Sequence, residues 1–153
     1  IQLMGLDANA SIITYAEQKA EKRSIKFFTG NIFTSSDLEV FKDSDVAVFS
    51  LFLHHFSDEE ILGIFRRCAD LGFRYVIVTD LQRSVWAYRL FNIGTYLFPF
   101  SEMARDDALR SIRKGFRGDE LRALFEQSPY GKIHKMNWEW AFRYVAIAEC
   151  TQV

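Results

Sequence analysis

The segment from Asp45 to Leu53 constrains the fold most, because it places apolar side chains on both faces of a strand. A strand that is buried on both faces is typical of the centre of a parallel sheet. Ser57 and Glu60 then match a capping box, which predicts a helix that ends near Gly72. A second apolar strand follows from Phe73 to Thr79. This strand–helix–strand order predicts a parallel unit of an α/β sheet.

The first forty residues continue this alternation. Strands are expected at Ile1–Asp7, which reads as buried, and at Ser24–Thr29. Between them, Asn9 or Ser11 caps a helix that runs to about Lys22. Its inner face is expected to carry the residues that recur at helical spacing: Ile12, Ile13, Tyr15, Ala16 and Ala20.

The second half of the chain predicts two helices and a closing pair of strands. An aromatic helix begins near Arg83 and runs to about Phe98, and a charged stretch follows through Lys114. An amphipathic helix is expected over 118–127, and two strands at about 132–136 and 141–149. We therefore expect one α/β domain over residues 1–153, with a doubly wound, mainly parallel sheet and an antiparallel C-terminal hairpin strand.

Composition and charge exclude several classes of protein. The chain has 153 residues, of which 49% are apolar, and this is enough for a full core. Its net charge of −1 gives no electrostatic argument for nucleic acid or an anionic membrane. The apolar segment Val85–Phe100 is too short to span a bilayer and contains Arg89 and Asn92. Cys68 and Cys150 are far apart, which favours reduced, buried thiols in a cytoplasmic protein over a disulfide.

Asp7 is the first candidate for a binding residue. It ends an apolar run in the pattern Gly5-x-Asp7, and a helical pattern follows at once. Nucleotide-binding α/β sheets place an acid here, where its carboxylate accepts hydrogen bonds from the ribose hydroxyls. The alternative is that Asp7 only complements the positive end of the following helix. Because a strand precedes it, we favour the ribose role.

His54 and His55 are the candidate catalytic residues, because they follow a strand and an imidazole can accept a proton near neutral pH. His55 ranks first and His54 second. The alternative is that one packs and the other caps a loop. His134 is distant in sequence, so no metal site is expected. Asp80 ends another strand, where it either orients a substrate or caps the next helix.

Four segments stand in an order that extends over nearly the whole chain. They are Gly5-Leu6-Asp7, Gly30-Asn31-Ile32, Asp45 to Phe56 with the Ser-Asp-Glu-Glu that follows, and Phe116-Arg117-Gly118-Asp119-Glu120-Leu121. In this order they resemble class I S-adenosylmethionine-dependent methyltransferases of the small-molecule, type-11-like group, and the third match is the most specific. The resemblance implies a Rossmann-like fold and S-adenosylmethionine as the cofactor.

The resemblance also assigns cofactor contacts beyond the ribose. Ala8 is expected to leave room beside the adenine. Asn31 is expected to accept a hydrogen bond from the adenine amino group, while Ile32 packs against the ring. The backbone of Ser50 and Leu51, where the strand leaves the sheet, is expected to meet the methionine part of the cofactor.

The implied activity is methyl transfer to an oxygen or carbon atom of a small, apolar or aromatic metabolite. Such a displacement depends mostly on positioning and desolvation, so a base is needed only for a poor nucleophile. The helix near 83–100 is expected to cover the acceptor. Two alternatives remain open: a non-catalytic methyltransferase-like interaction module, and a fragment of a nicotinamide-dependent oxidoreductase. A nucleic-acid amino-methyltransferase is disfavoured, because the strand of 45–53 ends in Ser-Leu-Phe-Leu.

The chief departure from the family concerns its first strand and Gly-x-Gly loop, which do not precede Asp7. In the resembled fold this strand lies between the strands that end at Asp7 and Ser50. Without it, both strands would expose unpaired backbone groups, at a cost of about 1–3 kcal/mol each. We therefore expect upstream residues, or a partner chain such as a second copy, to complete the sheet.

Overall fold

The computed structural model describes residues 1–20, 24–42, 44–96 and 101–151. The chain divides into two compact units, Ile1–Ser44 and Asp45–Val153. Each unit has a sheet of its own, with two strands in the first and four in the second.

The first unit is a strand–helix–strand motif followed by a short helical segment. Its two strands run parallel, with Asp7 opposite Thr29 at their carboxyl ends. Both predicted strands are therefore confirmed. The elements, in chain order, are β1 (Leu3–Asp7), α1 (Ala10–Ala20), β2 (Ile25–Thr29), α2 (Ser35–Leu38) and a 3-10 turn (Glu39–Phe41).

Fewer side chains of this unit are buried than the sequence predicts. Ile13 of α1 is buried, whereas Ile12 and Tyr15 are exposed, so the predicted inner face is wrong at these two positions. Strand β1 is not enclosed either, since Leu3 is exposed and the residues after it are half-buried. A two-stranded sheet offers a helix little surface to cover, which limits how many positions it can bury. The predicted helix end near Lys22 lies outside the described residues.

The second unit is a four-stranded mixed sheet with the order β3-β4-β6-β5. Strands β3 and β4 are parallel, and β6 is antiparallel to both of its neighbours, which confirms the predicted parallel unit and C-terminal hairpin. The elements, in chain order, are β3 (Val46–Ser50), a 3-10 turn (Leu53–His55), α3 (Asp58–Asp70), β4 (Tyr75–Leu81), α4 (Val85–Gly94), α5 (Glu102–Lys114), α6 (Gly118–Glu126), β5 (Lys132–Glu139) and β6 (Arg143–Glu149).

The core of the second unit is aromatic and joins α3 to α6. Phe65 of α3 stacks on Phe125 of α6 with ring centroids 5.3 Å apart, and Tyr130 meets Phe65 edge-on at 6.0 Å. The buried Tyr130 hydroxyl donates a hydrogen bond to the Phe73 carbonyl at 2.7 Å. Burial raises the pKa of Tyr130, so the hydroxyl stays a donor. These contacts fix α3, and with it the loop that enters this helix from β3.

Strand β3 lies at the edge of its sheet in the part of the chain that the structure describes. Its hydrogen-bonded neighbour there is β4 alone, and Val46 and Val48 are 41% and 64% exposed. The prediction of a central strand buried on both faces is therefore not met in these residues. Among the described strands, β1 likewise pairs with β2 alone. The described residues place β1 and β3 in different sheets.

The helices that follow β4 differ most from the predictions. Helix α4 begins after Ser84, whose Oγ accepts a hydrogen bond from the Ala87 amide at 3.4 Å, and it ends at Gly94. Thr95 and Tyr96 form a turn, so the predicted helix is wrong at these two residues, and its continuation to about Phe98 lies outside the described residues. The charged stretch forms helix α5, which the sequence does not predict. Helix α5 buries Leu109 and Ile112, so few apolar residues recur at helical spacing between its charged residues.

Cys68 and Cys150 are both buried and form no disulfide, as the sequence predicts. Burial raises the pKa of the Cys68 thiol to about 12, which keeps it unreactive at neutral pH. Within the described ranges, none of the helices is both long enough and apolar enough to cross a membrane.

Candidate functional site

The candidate residues lie at the carboxyl ends of parallel strands in each unit. In the first unit these are the ends of β1 and β2, and in the second the ends of β3 and β4. Open α/β sheets bind their ligands at this edge. What each group of residues can bind depends on which of its polar atoms are still available for a ligand.

Asp7 ends β1 with one carboxylate oxygen occupied and the other available. Its Oδ1 accepts a hydrogen bond from the Asn9 amide at 2.8 Å. None of the described groups donates to Oδ2. Asn9, rather than Asp7, caps α1, because the Asn9 side chain accepts from the Ser11 amide at 2.9 Å. Oδ1 therefore keeps one lone pair and Oδ2 both, on a carboxylate that the Asn9 amide already orients.

Small residues flank this carboxylate. A Cβ at Gly5 would lie 2.9 Å from the Phe27 ring, so the close approach of β1 to that ring needs glycine. Ala8 is exposed in the turn between Asp7 and α1. A ligand therefore meets no bulky side chain at the residue that follows Asp7.

Asn31 forms a turn after β2 that uses part of its hydrogen-bonding capacity. The side-chain Oδ1 of Asn31 accepts from the Phe33 amide at 2.9 Å, and the backbone N–H of Asn31 donates to Asp37 Oδ2 at 2.9 Å. Ile32 is half-buried in the same turn. Sequence reasoning did not single out Asp37, because an acid within a polar stretch carries no distinctive signal. An adenine amino group would have to share Asn31 Oδ1 with Phe33.

Ser50 and Leu51 leave the sheet in a tight turn and are exposed. Leu51 has a φ of 52°, in the left-handed region that residues other than glycine rarely adopt. Its amide donates to the Thr79 carbonyl at 2.8 Å. The next three amides, of residues 52–54, donate to Asp80. A strained residue that its neighbours hold in place is frequent at functional turns.

Asp80 is the centre of a buried network beneath that turn. Its Oδ2 accepts from the amides of 52–54 at 3.2, 2.8 and 3.3 Å, and its side chain is fully buried. Its Oδ1 accepts from the Leu81 amide at 2.7 Å and contacts His54 Nδ1 at 2.6 Å. Because Ser84 caps α4, the cap considered for Asp80 from the sequence is wrong. Asp80 instead anchors the turn after β3.

His54 is a buried imidazole with one nitrogen held and the other without a partner. When Nδ1–H donates to Asp80, the lone pair resides on Nε2. Nε2 has no hydrogen-bond partner among the described groups, although the side chain is only 3% exposed. A buried polar atom without a partner costs about 1–3 kcal/mol, so such an atom marks a candidate functional position.

His55 lies beside His54, with ring centroids 4.1 Å apart, and is exposed. Partial burial, with smaller effects from His54 and Lys114, lowers the pKa of His55 below its ordinary value, which favours its neutral form. The sequence ranks His55 before His54, whereas the described carboxylate of Asp80 contacts and orients the ring of His54. The sequence shows that Asp80 ends a strand, but it does not show that Asp80 contacts His54.

The third histidine lies at the other edge of the sheet. His134 Nε2 contacts Glu149 at 2.8 Å, and Glu149 pairs with Tyr75 at the start of β4. His134 is therefore remote from Asp80, which lies near the end of that strand. The described residues hold no group of three or more side chains able to ligate a metal.

Solved structures with a similar fold include methyltransferases. The chain is similar to magnesium protoporphyrin IX methyltransferase from Synechocystis PCC 6803, solved with bound SAH, at 16% identity and a TM-score of 0.66. It is also similar to the S-adenosylmethionine-dependent methyltransferase SibL, at 15% identity and 0.66. A protein from Pyrococcus horikoshii OT3 matches at 15% identity and 0.68. No protein-family model matches the sequence, and neither does any curated protein.

The extent of these matches matters as much as their quality. They cover 98%, 98% and 99% of this chain, but 64%, 43% and 74% of the respective solved chains. At such low identity the likeness shows the fold. The chain therefore has the Rossmann-like α/β fold of S-adenosylmethionine-dependent methyltransferases, and it spans less than two thirds of the first two structures.

Proposed function

We propose that this chain belongs to an enzyme that uses S-adenosylmethionine to methylate a small molecule. One observation carries the proposal: Asp7 presents an available carboxylate oxygen at the end of β1, in a fold shared with a methyltransferase solved with bound SAH. When bound, S-adenosylmethionine supplies an electrophilic methyl group on a sulfonium. The acceptor is proposed to be a small apolar or aromatic metabolite, methylated on oxygen or carbon.

The residues at the end of β1 fit a ribose. Asp7 Oδ2 is an acceptor that no described group occupies, and a charged hydrogen bond contributes about 1.5–3 kcal/mol. The Asn9 amide holds the other oxygen and so fixes the carboxylate plane. Ala8 leaves the adjoining position open, which suits the bulk of an adenosine.

Adenine and methionine contacts are proposed for the two remaining turns. Asn31 Oδ1 keeps a second lone pair for the adenine amino group, and half-buried Ile32 offers an apolar surface to the ring. In the second unit, the Leu51 amide is already bonded to Thr79. Ser50 and Leu51 are therefore proposed to meet the methionine part through their carbonyl groups.

For an acceptor that must lose a proton, we assign the general base to His54. Its Nε2 takes the proton of the acceptor, while Nδ1–H stays bonded to Asp80. The Asp80 carboxylate then stabilises the imidazolium, as a buried acid does for histidine in hydrolases. His55 is the alternative base, but no described carboxylate lies within hydrogen-bonding distance of its ring.

Calorimetric titration of the full-length protein with S-adenosylmethionine tests the cofactor assignment. Asp7→Asn is the sharpest variant, because its amide oxygen can still accept from Asn9 while an NH₂ replaces Oδ2. We expect this variant to bind at least about tenfold more weakly. Glu17→Gln, on the exposed part of α1, is the matched control and should leave the affinity unchanged.

Each possible result of this titration is informative. Unchanged affinity in Asp7→Asn would rule out the ribose role. Binding of a nicotinamide dinucleotide in place of S-adenosylmethionine would favour an oxidoreductase. Binding of neither would leave a non-catalytic module.

A further inference from the structure

The carboxyl edge of the sheet in the second unit carries a small pocket close to the histidines. Its volume is about 180 Å³. Because pockets for drug-sized ligands are commonly about 300–1,000 Å³, this one suits a small molecule or one end of a larger one. The residues that line it include two phenylalanines and four charged residues: Phe56, Phe116, Asp58, Arg83, Lys114 and Glu120.

Two of the four charges neutralise each other within the wall. Arg83 forms an ion pair with Glu120. Glu120 Oε2 also accepts from the Arg117 amide at 2.9 Å, as part of the capping of α6. This pair is therefore satisfied inside the protein and does not require a charged ligand.

The other two charges, Asp58 and Lys114, form no ion pair with any residue that the structure describes. Asp58 is in the first turn of α3 and Lys114 in the last turn of α5, so the charge of each complements its own helix dipole. Two opposite charges thus line one cavity without neutralising each other.

The pocket is also joined to the histidine turn. Phe56 directly follows His55, and helix α5, which ends at Lys114, packs against the turn Leu53–His55. Lys114 is close enough to affect the pKa of His55. A ligand seated between Asp58 and Lys114 therefore lies near His55, the alternative base, and near the turn that carries His54.

We propose that this pocket binds the zwitterionic head of an α-amino acid or a similar small molecule. Its carboxylate would pair with Lys114 and its ammonium group with Asp58, while Phe56 and Phe116 contact the apolar part. A ligand with one charge satisfies only one of these side chains, whereas a zwitterion satisfies both. The identification of this ligand as the methyl acceptor rests on the proposed function, but its binding does not.

Three probes with the same phenol ring test this pairing: L-tyrosine, tyramine, which lacks the carboxylate, and 3-(4-hydroxyphenyl)propionate, which lacks the amine. Their dissociation constants for the full-length protein are measured by calorimetry. Tyrosine should bind about two- to fivefold more tightly than either analogue, the range of a partly exposed charge pair. Equal affinities, or no binding of any probe, would overturn the proposal.

Single substitutions of the two charged residues test the two proposed ion pairs separately. Lys114→Gln should abolish the advantage of tyrosine over tyramine, and Asp58→Asn its advantage over the propionate. Lys135→Gln and Asp106→Asn, at exposed positions that do not line the pocket, are the matched controls and should leave both advantages intact. If the controls acted like the pocket variants, the proposal would fail.

A parallel titration with S-adenosylmethionine separates this inference from the proposed function. Tyrosine binding without cofactor binding would keep the zwitterion pocket and remove the methyltransferase. Cofactor binding without any preference for tyrosine would do the reverse.

Discussion

Asp80 and His54 meet at 2.6 Å inside the second unit, although 26 residues separate them in the chain. The contact ties strand β4 to the turn that leaves β3. Because Asp80 also accepts the amides of 52–54, one carboxylate sets both the path of this turn and the orientation of the imidazole. Removal of the Asp80 carboxylate should therefore lower stability and turnover for two different reasons.

Asp80→Ala is expected to lower the free energy of unfolding by about 3 kcal/mol or more, because two buried and two partly buried amides lose their acceptor. Asp80→Asn keeps one acceptor oxygen and should cost less. Urea unfolding followed by circular dichroism measures both. Asp106→Asn, at an exposed position of α5, is the control and should stay within about 0.5 kcal/mol of the wild type.

His54→Gln is expected to lower kcat about 100-fold or more on an acceptor that must lose a proton, with the cofactor affinity unchanged. The reason is that Nε2 of His54 is the oriented acceptor beside Asp80. The matched variant His55→Gln should change kcat much less. Single-turnover methyl transfer measures both, and a larger loss in His55→Gln would reverse the assignment.

Gly115→Ala and Gly63→Ala should have opposite effects on stability. A Cβ at Gly115 would lie 2.6 Å from the Leu81 carbonyl oxygen, which also accepts from the Phe116 amide at 2.8 Å. We expect a loss of about 1–3 kcal/mol there, as for other overpacked sites. Gly63 lies inside α3 with open space around it, so alanine should stabilise the helix by about 0.5–1 kcal/mol. Thermal unfolding distinguishes the two signs.

Glu149 should give the protein a stability that depends on acid pH. Hydrogen bonds from Lys132, His134 and Arg74 lower the pKa of Glu149 from 4.5 to about 2. Because the folded pKa lies below the unfolded one, the stabilisation is present above about pH 4.5 and is lost as the pH falls towards 2. The free energy of unfolding of Glu149→Gln should therefore approach that of the wild type on acidification. Urea titrations at a series of pH values check this.

The control for that experiment is Glu126→Gln, at an exposed position of α6. Its difference from the wild type should not follow the same curve. A gap between Glu149→Gln and the wild type that stayed constant with pH would show that the three hydrogen bonds do not act through the charge of Glu149.

Local signals in the sequence predicted local structure well. Ser57 Oγ accepts from the Glu60 amide at 3.3 Å, and Glu60 Oε2 accepts from the Ser57 amide at 2.8 Å, so the predicted capping box is confirmed. A cap lies within one turn of helix, and its partners are visible in a few consecutive residues. The same locality explains why the two parallel strands on either side of α3 were found.

Features that depend on pairing between distant segments were not predictable in this way. The contact of His54 with Asp80 requires the register in which Ser50 lies opposite Thr79. The exposure of Val48 depends on which strands lie beside β3, and the apolar residues around Val48 in the sequence do not show which strands these are. The proposal of His54 before His55 therefore rests on a tertiary contact that the sequence does not show.

Strand β6 is antiparallel to β4, so that Arg143 lies beside Leu81 and the tip of the β5–β6 hairpin reaches the same edge of the sheet as Asp80. Trp140 in this tip is 87% exposed. Extra residues in an exposed loop cost little entropy and leave the register of the flanking strands intact. Evolution can therefore change what this edge accepts by inserting or deleting a few residues at one hairpin tip, without rebuilding the sheet.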